Sequence, residues 1–317
     1  MKNKIENILS KYVDVFGFVS TTEYKETRSS LHRNDMYDEY SFLNGYKTII
    51  TLGLSYPSES LKWGKKGTGL LSKYSYGTDY HLVFKDKLKS ITNELELLNI
   101  RCHSSVDTYK VDERWASHLA HIGFLGRNQF LINKTFGGYL YLATILIDED
   151  VTKNMELLDT CGTCRKCVDA CPTNALDGRF IRERCISETT QSKKIFNKEE
   201  IKQLKTMVYG CDICQKVCPK NDGINFKHNK EFLPTGIESV NLIEVLKMSN
   251  KDYMKIYRNN ASSWKGATLI KRNALCLLGN QKVYEAVDEI RKSLEKYKDI
   301  LWYNNVALEV LEMLERK

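Results

Sequence analysis

Eight of the ten cysteines in this 317-residue chain fall within one short stretch. The first run, CGTCRKCVDACP, contains Cys161, Cys164, Cys167 and Cys171 and ends in a proline. This C-x2-C-x2-C-x3-C-P spacing is the one with which bacterial proteins bind a pair of 4Fe–4S clusters. The short loops let three sulfurs meet at one cubane. The fourth cysteine begins a helix that points away, so it serves the other cluster.

The second run, GCDICQKVCP, contains Cys211, Cys214 and Cys218 and lacks one cysteine of the full spacing. Cys185 is the only cysteine between the two runs, and it can supply the missing ligand. Because each run lends its last cysteine to the other cluster, the spacing predicts two ligand sets. The first set is Cys161, Cys164, Cys167 and Cys218, and the second is Cys171, Cys185, Cys211 and Cys214.

Zinc is the alternative metal for these thiols, since paired C-x2-C motifs also bind zinc. The x3 spacing and the proline after each run favour iron–sulfur clusters. Cys102 and Cys276 lie outside both runs, and we expect both to be buried core thiols. Cysteines with metal-ligand spacing indicate a reducing compartment, so we expect a cytoplasmic protein.

The chain is basic, with a formal net charge of +8. The charge falls to about +4 once eight thiolates and two cluster cores are counted. A polyanionic partner such as RNA would fit this balance, and an ordinary lysine-rich surface also explains it. No apolar run reaches the roughly 18 residues of a membrane span. The opening segment MKNKIENILSKYVDVFGF predicts an amphipathic helix rather than a signal peptide. We expect a monomer.

Residues 1–155 alternate strand-like and helical segments and predict an α/β domain. The segment from Tyr46 to Pro57 is rich in β-branched and aromatic residues and predicts a buried strand. A second strand of this kind is predicted from Gly137 to Asp148. Between them, residues 78–100 carry apolar side chains at helical spacing, beginning with Leu82.

Residues 156–225 hold the eight clustered cysteines and few apolar runs, so metal ligation should stabilise this ferredoxin-like domain. Residues 226–317 form a C-terminal region that predicts helices throughout from about residue 240, with a capping box from Ser249 to Asp252. Its antiparallel helix pairs resemble HEAT repeats. The predicted fold class is therefore mixed (α+β and α/β), with α/β, ferredoxin-like double-cluster and HEAT-like helical parts in that order.

Five segments carry a more specific resemblance. They are LLSKYSYGTDYH at residues 70–81, the stretch from Val106 to Asp148, and the motifs CGTCRKCVDACPTNAL, RCISETTQ and YGCDICQKVCP. In order and content they resemble epoxyqueuosine reductases, the cobalamin-dependent enzymes of the last step of queuosine synthesis in tRNA. The resemblance runs from about residue 45 to residue 280. The residues before it match poorly, and the helical tail is shorter than in longer members.

The resemblance implies reduction of the epoxide of epoxyqueuosine, at the wobble position of certain tRNAs, to the alkene of queuosine. It implies that base-off cobalamin lies between the first domain and the cluster domain. The clusters would supply electrons to form cob(I)alamin, a nucleophile for an epoxide carbon. The implied partners are a tRNA anticodon stem-loop and an external electron donor.

Opening an epoxide builds negative charge on oxygen, and a placed acid offsets that charge. Asp107, in the motif VDT, matches the family's proton donor. Burial against the corrin and the substrate would raise its affinity for the proton that it must donate. The structural alternative is an aspartate that caps a helix or a turn after a strand.

The resemblance also implies contacts with the cofactor and the tRNA. Ser192 and Lys193 match the region that meets tRNA, and the basic segment from Lys193 to Lys205 would hold phosphates or form a solvated helix face. The implied cobalamin contacts are Ser72, Lys73, Tyr74, Asp107, Leu131, Leu142, Ser187, Asp212 and Ile213.

Two departures from the family pattern stand out. The family usually has an arginine that touches the cofactor, and neither Arg28 nor Arg33 aligns cleanly with it. In AHIGFLGRN, Arg127 replaces a lysine and His121 a small residue. Arginine and lysine both bind phosphate, but with different geometry. We expect His81 to be a hydrogen-bonded structural histidine rather than a cobalt ligand.

Two other functions would use the same cysteines. A reductive dehalogenase shares cobalamin and two clusters, but usually carries a twin-arginine export signal that this sequence lacks. A plain two-cluster electron-transfer protein would use the first domain only for docking. Bound cobalamin separates the first two functions from the third. A basic groove of tRNA size separates the epoxyqueuosine reductase from the dehalogenase.

Overall fold

A computed structural model describes residues 1–30, 40–59, 61–107, 110–151 and 159–316. The strands are β1 (Val15–Ser20), β2 (Thr48–Ser55), β3 (Thr68–Leu71), β4 (Cys102–Ser105), β5 (Phe124–Leu125), β6 (Leu131–Ile132), β7 (Leu140–Ile147), β8 (Met207–Tyr209) and β9 (Ser239–Asn241). The helices are α1 (Lys2–Leu9), α2 (Thr21–Ser30), α3 (Tyr80–Glu96), α4 (Glu113–Leu119), α5 (Lys166–Asp169), α6 (Ile186–Gln191), α7 (Lys198–Gln203), α8 (Ile213–Lys216), α9 (Leu242–Lys247), α10 (Asn250–Tyr257), α11 (Ala267–Asn280), α12 (Val287–Lys296) and α13 (Leu301–Glu315).

The chain divides into two compact units, each assembled from separate stretches of sequence. The first unit contains Met1–Pro57, Tyr80–Arg165 and Cys218–Asn229. The second unit contains Ser58–Asp79, Lys166–Val217 and Lys230–Lys317. The division into independent domains at residues 155 and 225 stays a prediction.

A four-stranded antiparallel sheet, in the order β1-β2-β7-β4, forms the centre of the first unit. Every residue of β2 is buried, as its run of β-branched and apolar residues predicts. Strands β2 and β7 and helix α3 lie where the sequence predicts them. Within α3 the buried residues are Val83, Phe84, Leu88, Ile91 and Leu95, whereas Leu82 is exposed, contrary to expectation.

The N-terminal helix is shorter than predicted. Helix α1 ends at Leu9, and the second half of the opening segment forms strand β1 instead. The sequence of β1, VFGFVS, is β-branched and aromatic, and Phe18 and Val19 are buried in the sheet. Residues of this kind fit a half-buried pleated strand better than a surface helix.

The second unit is built on α11, a helix whose residues from Leu269 to Gly279 are all buried. Helices α9 and α13 and strand β8 pack against it. The predicted C-terminal helices are present, and Ser249 caps α10 by accepting a hydrogen bond of 3.1 Å from the Asp252 amide. However, β9 pairs with β3 in a three-stranded sheet, in the order β8-β3-β9, that the sequence did not predict. Its strands are too short to show a periodicity.

Helix α11 also buries a charged side chain, Arg272. Its guanidinium donates to the backbone carbonyls of Thr189 (3.3 Å), Ser192 (2.9 Å) and Lys194 (3.3 Å), and it lies 3.8 Å from the centre of the Phe196 ring. Buried charges are tolerated where hydrogen bonds satisfy them. Arg272 therefore fixes the backbone that follows α6.

No helix within the described ranges is long and apolar enough to cross a membrane.

Replacing Arg272 with leucine should lower the free energy of unfolding by about 3 kcal/mol, because buried carbonyls then lose their donor. Urea unfolding followed by tryptophan fluorescence measures the change. The control is Arg291→Leu, which removes an exposed ion pair with Glu315 on the same unit and should cost less than about 1 kcal/mol. Equal losses in the two variants would contradict the assignment.

Candidate cofactor and catalytic site

In the first unit, Cys161 and Cys218 pack together against Phe124 and Ile132. Burial, followed by the nearby Cys161 and Cys164 thiols, raises the pKa of Cys218. Three of the predicted cluster ligands are therefore neighbours in this unit. They occupy a largely apolar pocket.

Arg127 borders this group of thiols. Its backbone amide points at Cys161 Sγ (3.5 Å), and its guanidinium donates to the Gly162 carbonyl (2.8 Å). The arginine that departs from the family pattern thus holds the loop of the first cysteine run.

The second unit brings together the other five cysteines of the runs, Cys167, Cys171, Cys185, Cys211 and Cys214. Burial, with smaller contributions from Asp212, Cys185 and Cys171, raises the pKa of Cys211 to about 12. Burial and four neighbouring thiols also raise the pKa of Cys214. Thiolates crowded in this way repel one another, and bound iron would compensate their charge.

No three His, Cys, Asp or Glu side chains in the described part of the chain converge on a position that would hold a single metal ion. A cubane binds each thiolate at a different iron atom, so its ligands surround a cluster rather than one ion. The all-sulfur donor set and its apolar surroundings fit 4Fe–4S clusters.

Ser72 and Lys73 form a tight, buried turn in the second unit. The Lys73 amide donates to both carboxylate oxygens of Asp212, each at 3.2 Å. Burial raises the pKa of Asp212 and lowers that of Lys73. The Ser72 hydroxyl is buried and has no hydrogen-bond partner within the described residues. A buried hydroxyl of this kind calls for a partner such as an ordered water, an ion or a polar ligand group.

Gly210 is required beside this turn. Its φ is +73°, and a methyl group at this position would overlap the Ser72 hydroxyl. Ile213, the first residue of α8, follows Asp212 directly and is half-buried. The second cysteine run therefore fixes the turn that carries three of the implied cofactor contacts.

Gln191 connects Tyr74 with Ser187. Its amide nitrogen donates to the Tyr74 hydroxyl (3.1 Å) and to the carbonyl (3.1 Å) and hydroxyl (3.3 Å) of Ser187. The hydroxyl of Tyr209 donates to the Gln191 side-chain oxygen at 3.1 Å. The structure thus brings together Ser72, Lys73, Tyr74, Ser187, Asp212 and Ile213 through the Ser72–Asp212 turn and the Gln191 network. Sequence reasoning did not identify Gln191.

Ser192 and Lys193 follow α6 in the same unit. The Ser192 carbonyl accepts from Arg272, and Lys193 lines an open cleft of about 400 Å³ together with Lys265. The rest of the lining consists of Thr268, Asp299, Ile300, Leu301 and Trp302. Two lysines beside an aromatic side chain suit a nucleic-acid surface.

Asp107 lies in the first unit at the end of the β4 segment, in the left-handed backbone region (φ +52°). Its carboxylate accepts from the Tyr80 hydroxyl and lies 3.6 Å from His81 Nε2. Its side chain is 52% exposed, so the held carboxylate remains accessible. The capping role weighed as an alternative belongs instead to Asp112, which accepts from the Trp115 amide at the start of α4.

The expected apolar contacts lie elsewhere in the first unit. Leu131 is buried on β6, where it pairs with Leu125, and Leu142 is half-buried on β7 opposite Gly53.

The remaining predictions concern the two cysteines outside the runs and the two arginines near the N-terminus. Cys276 is fully buried, as predicted, but Cys102 is only half-buried, because the edge strand β4 leaves one side of it exposed. Burial raises the pKa of Cys102 to about 11. Arg28 is buried and pairs with Asp112 at 3.0 Å. Arg33 lies outside the described residues.

Two known families match parts of the chain. The family described as "4Fe-4S double cluster binding domain" matches residues 160–221, and "Epoxyqueuosine reductase QueG, DUF1730" matches residues 38–108. Among curated proteins, the epoxyqueuosine reductase of Lactococcus garvieae is 31% identical, covering 100% of this chain and 97% of the relative. That of Bacillus subtilis is 34% identical over 92% of this chain and 82% of its own length.

The chain belongs to the epoxyqueuosine reductase family. Members of this family are oxidoreductases. The solved epoxyqueuosine reductase of Streptococcus thermophilus superposes with a TM-score of 0.89 at 30% identity, over 100% of this chain and 91% of that one. A crystal structure of an epoxyqueuosine reductase with an epoxyqueuosine-modified tRNA stem loop superposes with a TM-score of 0.83 at 28% identity, over 99% of this chain and 98% of that one.

Replacing Gly210 with alanine should lower the free energy of unfolding by about 3 kcal/mol, since the new methyl group displaces the Ser72 turn as well as straining φ. Gly178 provides a matched control, because it has the same φ of +73° in the same unit but open space around it. Gly178→Ala should cost about 1 kcal/mol. Urea unfolding of both variants measures the difference, and similar values would disprove the steric role of Gly210.

Proposed function

We propose that this chain reduces epoxyqueuosine to queuosine at the wobble position of tRNA, with base-off cobalamin and two 4Fe–4S clusters as cofactors. The observation that carries the proposal is the placement of Asp107. A carboxyl group that is both accessible and held by neighbouring side chains suits proton donation to a leaving oxygen. Membership of the epoxyqueuosine reductase family supports the choice of substrate.

The proposed cluster ligands follow the cysteine spacing. One cluster would be held by Cys161, Cys164, Cys167 and Cys218, and the other by Cys171, Cys185, Cys211 and Cys214. Three members of the first set lie together in the first unit, and all four members of the second set lie together in the second unit, where Cys167 is their neighbour. The buried position of several of these sulfurs would exclude water from the clusters and shift their potentials.

The proposed cobalamin contacts come from two sets of residues. In the second unit they are Ser72, Lys73, Tyr74, Ser187, Asp212 and Ile213, and in the first unit Asp107, Leu131 and Leu142. The unpartnered Ser72 hydroxyl supports the first set, because a bound polar group would satisfy it. Cobalamin, when bound, would supply the reduced cobalt that opens the epoxide.

Deoxygenation of an epoxide to an alkene consumes two electrons and two protons and releases water. We assign Asp107 as the donor of the first proton, from its carboxyl oxygen to the epoxide oxygen. The Tyr80 hydroxyl and the His81 ring hold the carboxyl group from one side. Tyr80 is itself fixed by stacking on Tyr141 at 4.5 Å between ring centres. An acid that is fixed before the reaction pays no ordering cost in the transition state.

Ser192 and Lys193 are the proposed tRNA contacts. Lys193 and Lys265 line one cleft, and phosphates bind readily to paired lysines. Arg272 holds the Ser192 carbonyl and so sets the position of this segment. We further propose a cytoplasmic monomer that receives electrons from an external donor, with a cobalamin-binding α/β domain, a ferredoxin-like domain and a HEAT-like tail.

The direct test uses anaerobically purified, reconstituted protein. It should hold about eight irons and one cobalamin and convert epoxyqueuosine to queuosine in a tRNA anticodon stem-loop. Asp107→Asn should lower kcat by roughly 10²- to 10⁴-fold and leave cofactor content unchanged, because only the transferable proton is lost. Asp86→Asn, an exposed position on α3, is the control. Full activity of Asp107→Asn would remove the acid role, whereas protein with clusters but no cobalamin would favour a plain electron-transfer function.

Replacing Cys185 with alanine tests the ligand sets. The variant should lose one cluster, so that iron content falls from about eight to about four per chain. Cys276→Ala, which removes a buried thiol outside both runs, should retain the full iron content. Iron assay and visible absorption report the outcome. Unchanged iron in Cys185→Ala would mean that another residue completes the second set.

A further inference from the structure

Glu113, the first residue of α4, is in direct contact with Asp107. Its Oε1 accepts a hydrogen bond of 2.9 Å from the Asp107 backbone amide, and the two side chains are also within hydrogen-bonding reach. The contact joins two residues that are six positions apart in sequence, one just after β4 and the other at the start of α4. Glu113 therefore helps to hold Asp107 in its left-handed backbone conformation.

Two carboxyl groups in contact cannot both be ionised without a large electrostatic cost. Burial, and then the negative charge of Asp107, raises the pKa of Glu113 well above its ordinary value. The protons of such a pair leave in two steps that belong to the pair as a whole, and between the two steps one proton is shared.

The polar and charged groups around Asp107 and Glu113 do not prevent the two carboxyl groups from sharing a proton. From α3, the Tyr80 hydroxyl donates to Asp107, and His81 approaches the same carboxylate oxygen. From α4, the Arg114 charge favours ionised Glu113, but its guanidinium donates to the Gln129 carbonyl at 3.0 Å. The hydrogen bond of Tyr80 and the nearby His81 ring thus both act on the Asp107 carboxylate.

We propose that Glu113 is a positioning residue that shares one proton with Asp107 and restores Asp107 to its acid form during turnover. The inference rests on the proposed function, because it assumes that Asp107 donates the proton. In the cycle, the proton on the Asp107 carboxyl passes to the epoxide oxygen. That single proton comes to Asp107 from the pair it forms with Glu113, and a proton from water then replaces it on Glu113, from which Asp107 is recharged.

Glu113→Gln is the decisive variant. The amide keeps an oxygen acceptor for the Asp107 N–H but carries no transferable proton and no charge. We expect KM to be unchanged and kcat at pH 7 to fall roughly tenfold, less than for loss of the acid itself. The alkaline limb of the plot of kcat against pH should move to lower pH. In the variant, residue 113 carries no negative charge that would help Asp107 to keep its proton. Glu113→Asp, which keeps a carboxyl group, should recover part of both effects.

Two controls separate this proposal from others. Glu96→Gln removes an exposed carboxylate on α3 and should leave the profile unchanged. Infrared spectroscopy reports the shared proton without turnover: wild-type protein at pH 7 should show a protonated carboxyl band that Glu113→Gln lacks. Absence of that band from the wild type, or a wild-type pH profile in Glu113→Gln, would overturn the proposal. An inactive wild type that still shows the band would refute only the proposed function.

Discussion

The crowding of thiols is the constraint on which the rest of the protein depends. Five cysteine sulfurs lie together in the second unit, and three lie together in the first. As thiolates they would repel one another across apolar surroundings, and as thiols they would gain little from their burial. Bound iron removes this conflict, since it replaces protons and supplies the opposing charge. The turns on either side of these cysteines are then held in a fixed position.

Hydrogen bonds connect the implied cofactor contacts to the segments that carry the cysteines. Asp212 lies between two cluster cysteines in sequence and accepts from the Lys73 amide, so the second cysteine run and the Ser72 turn move as one. Gln191 lies at the end of α6, the helix that follows Cys185, and its side-chain amide donates hydrogen bonds to both Ser187 and Tyr74. Asn273 donates to the Thr190 and Val208 carbonyls, next to the carbonyls that Arg272 holds. Helix α11 therefore supports the segment that carries Ser192 and Lys193.

The sequence predicts long elements and contiguous motifs well. Strands β2 and β7 each have eight residues of consistent burial, and α3 has a clear helical period. Strands β8 and β9 have three residues each and no readable pattern. The second half of the opening segment forms a strand rather than the predicted helix, because its apolar residues fit both periods and packing in the sheet decides between them.

Prediction of the candidate site from sequence is limited in the same way, to residues that sit in a local motif. The cysteines and Asp107 were found because each sits in a local motif. Gln191 and Arg272 were missed because the partners that give them meaning lie far along the chain, such as Tyr74 for Gln191 and Thr189 for Arg272. Glu113 is near Asp107 in sequence, but only the left-handed backbone at Asp107 turns its amide towards that carboxylate.

The way the first unit is assembled has a consequence for synthesis. Asp14 follows the first helix, yet its carboxylate is completed by His228 at 2.7 Å and by Asn229 at 2.8 Å. A further 214 residues must therefore leave the ribosome after Asp14 before its carboxylate can reach His228. Contacts of such sequence separation slow folding, because a long loop must close first.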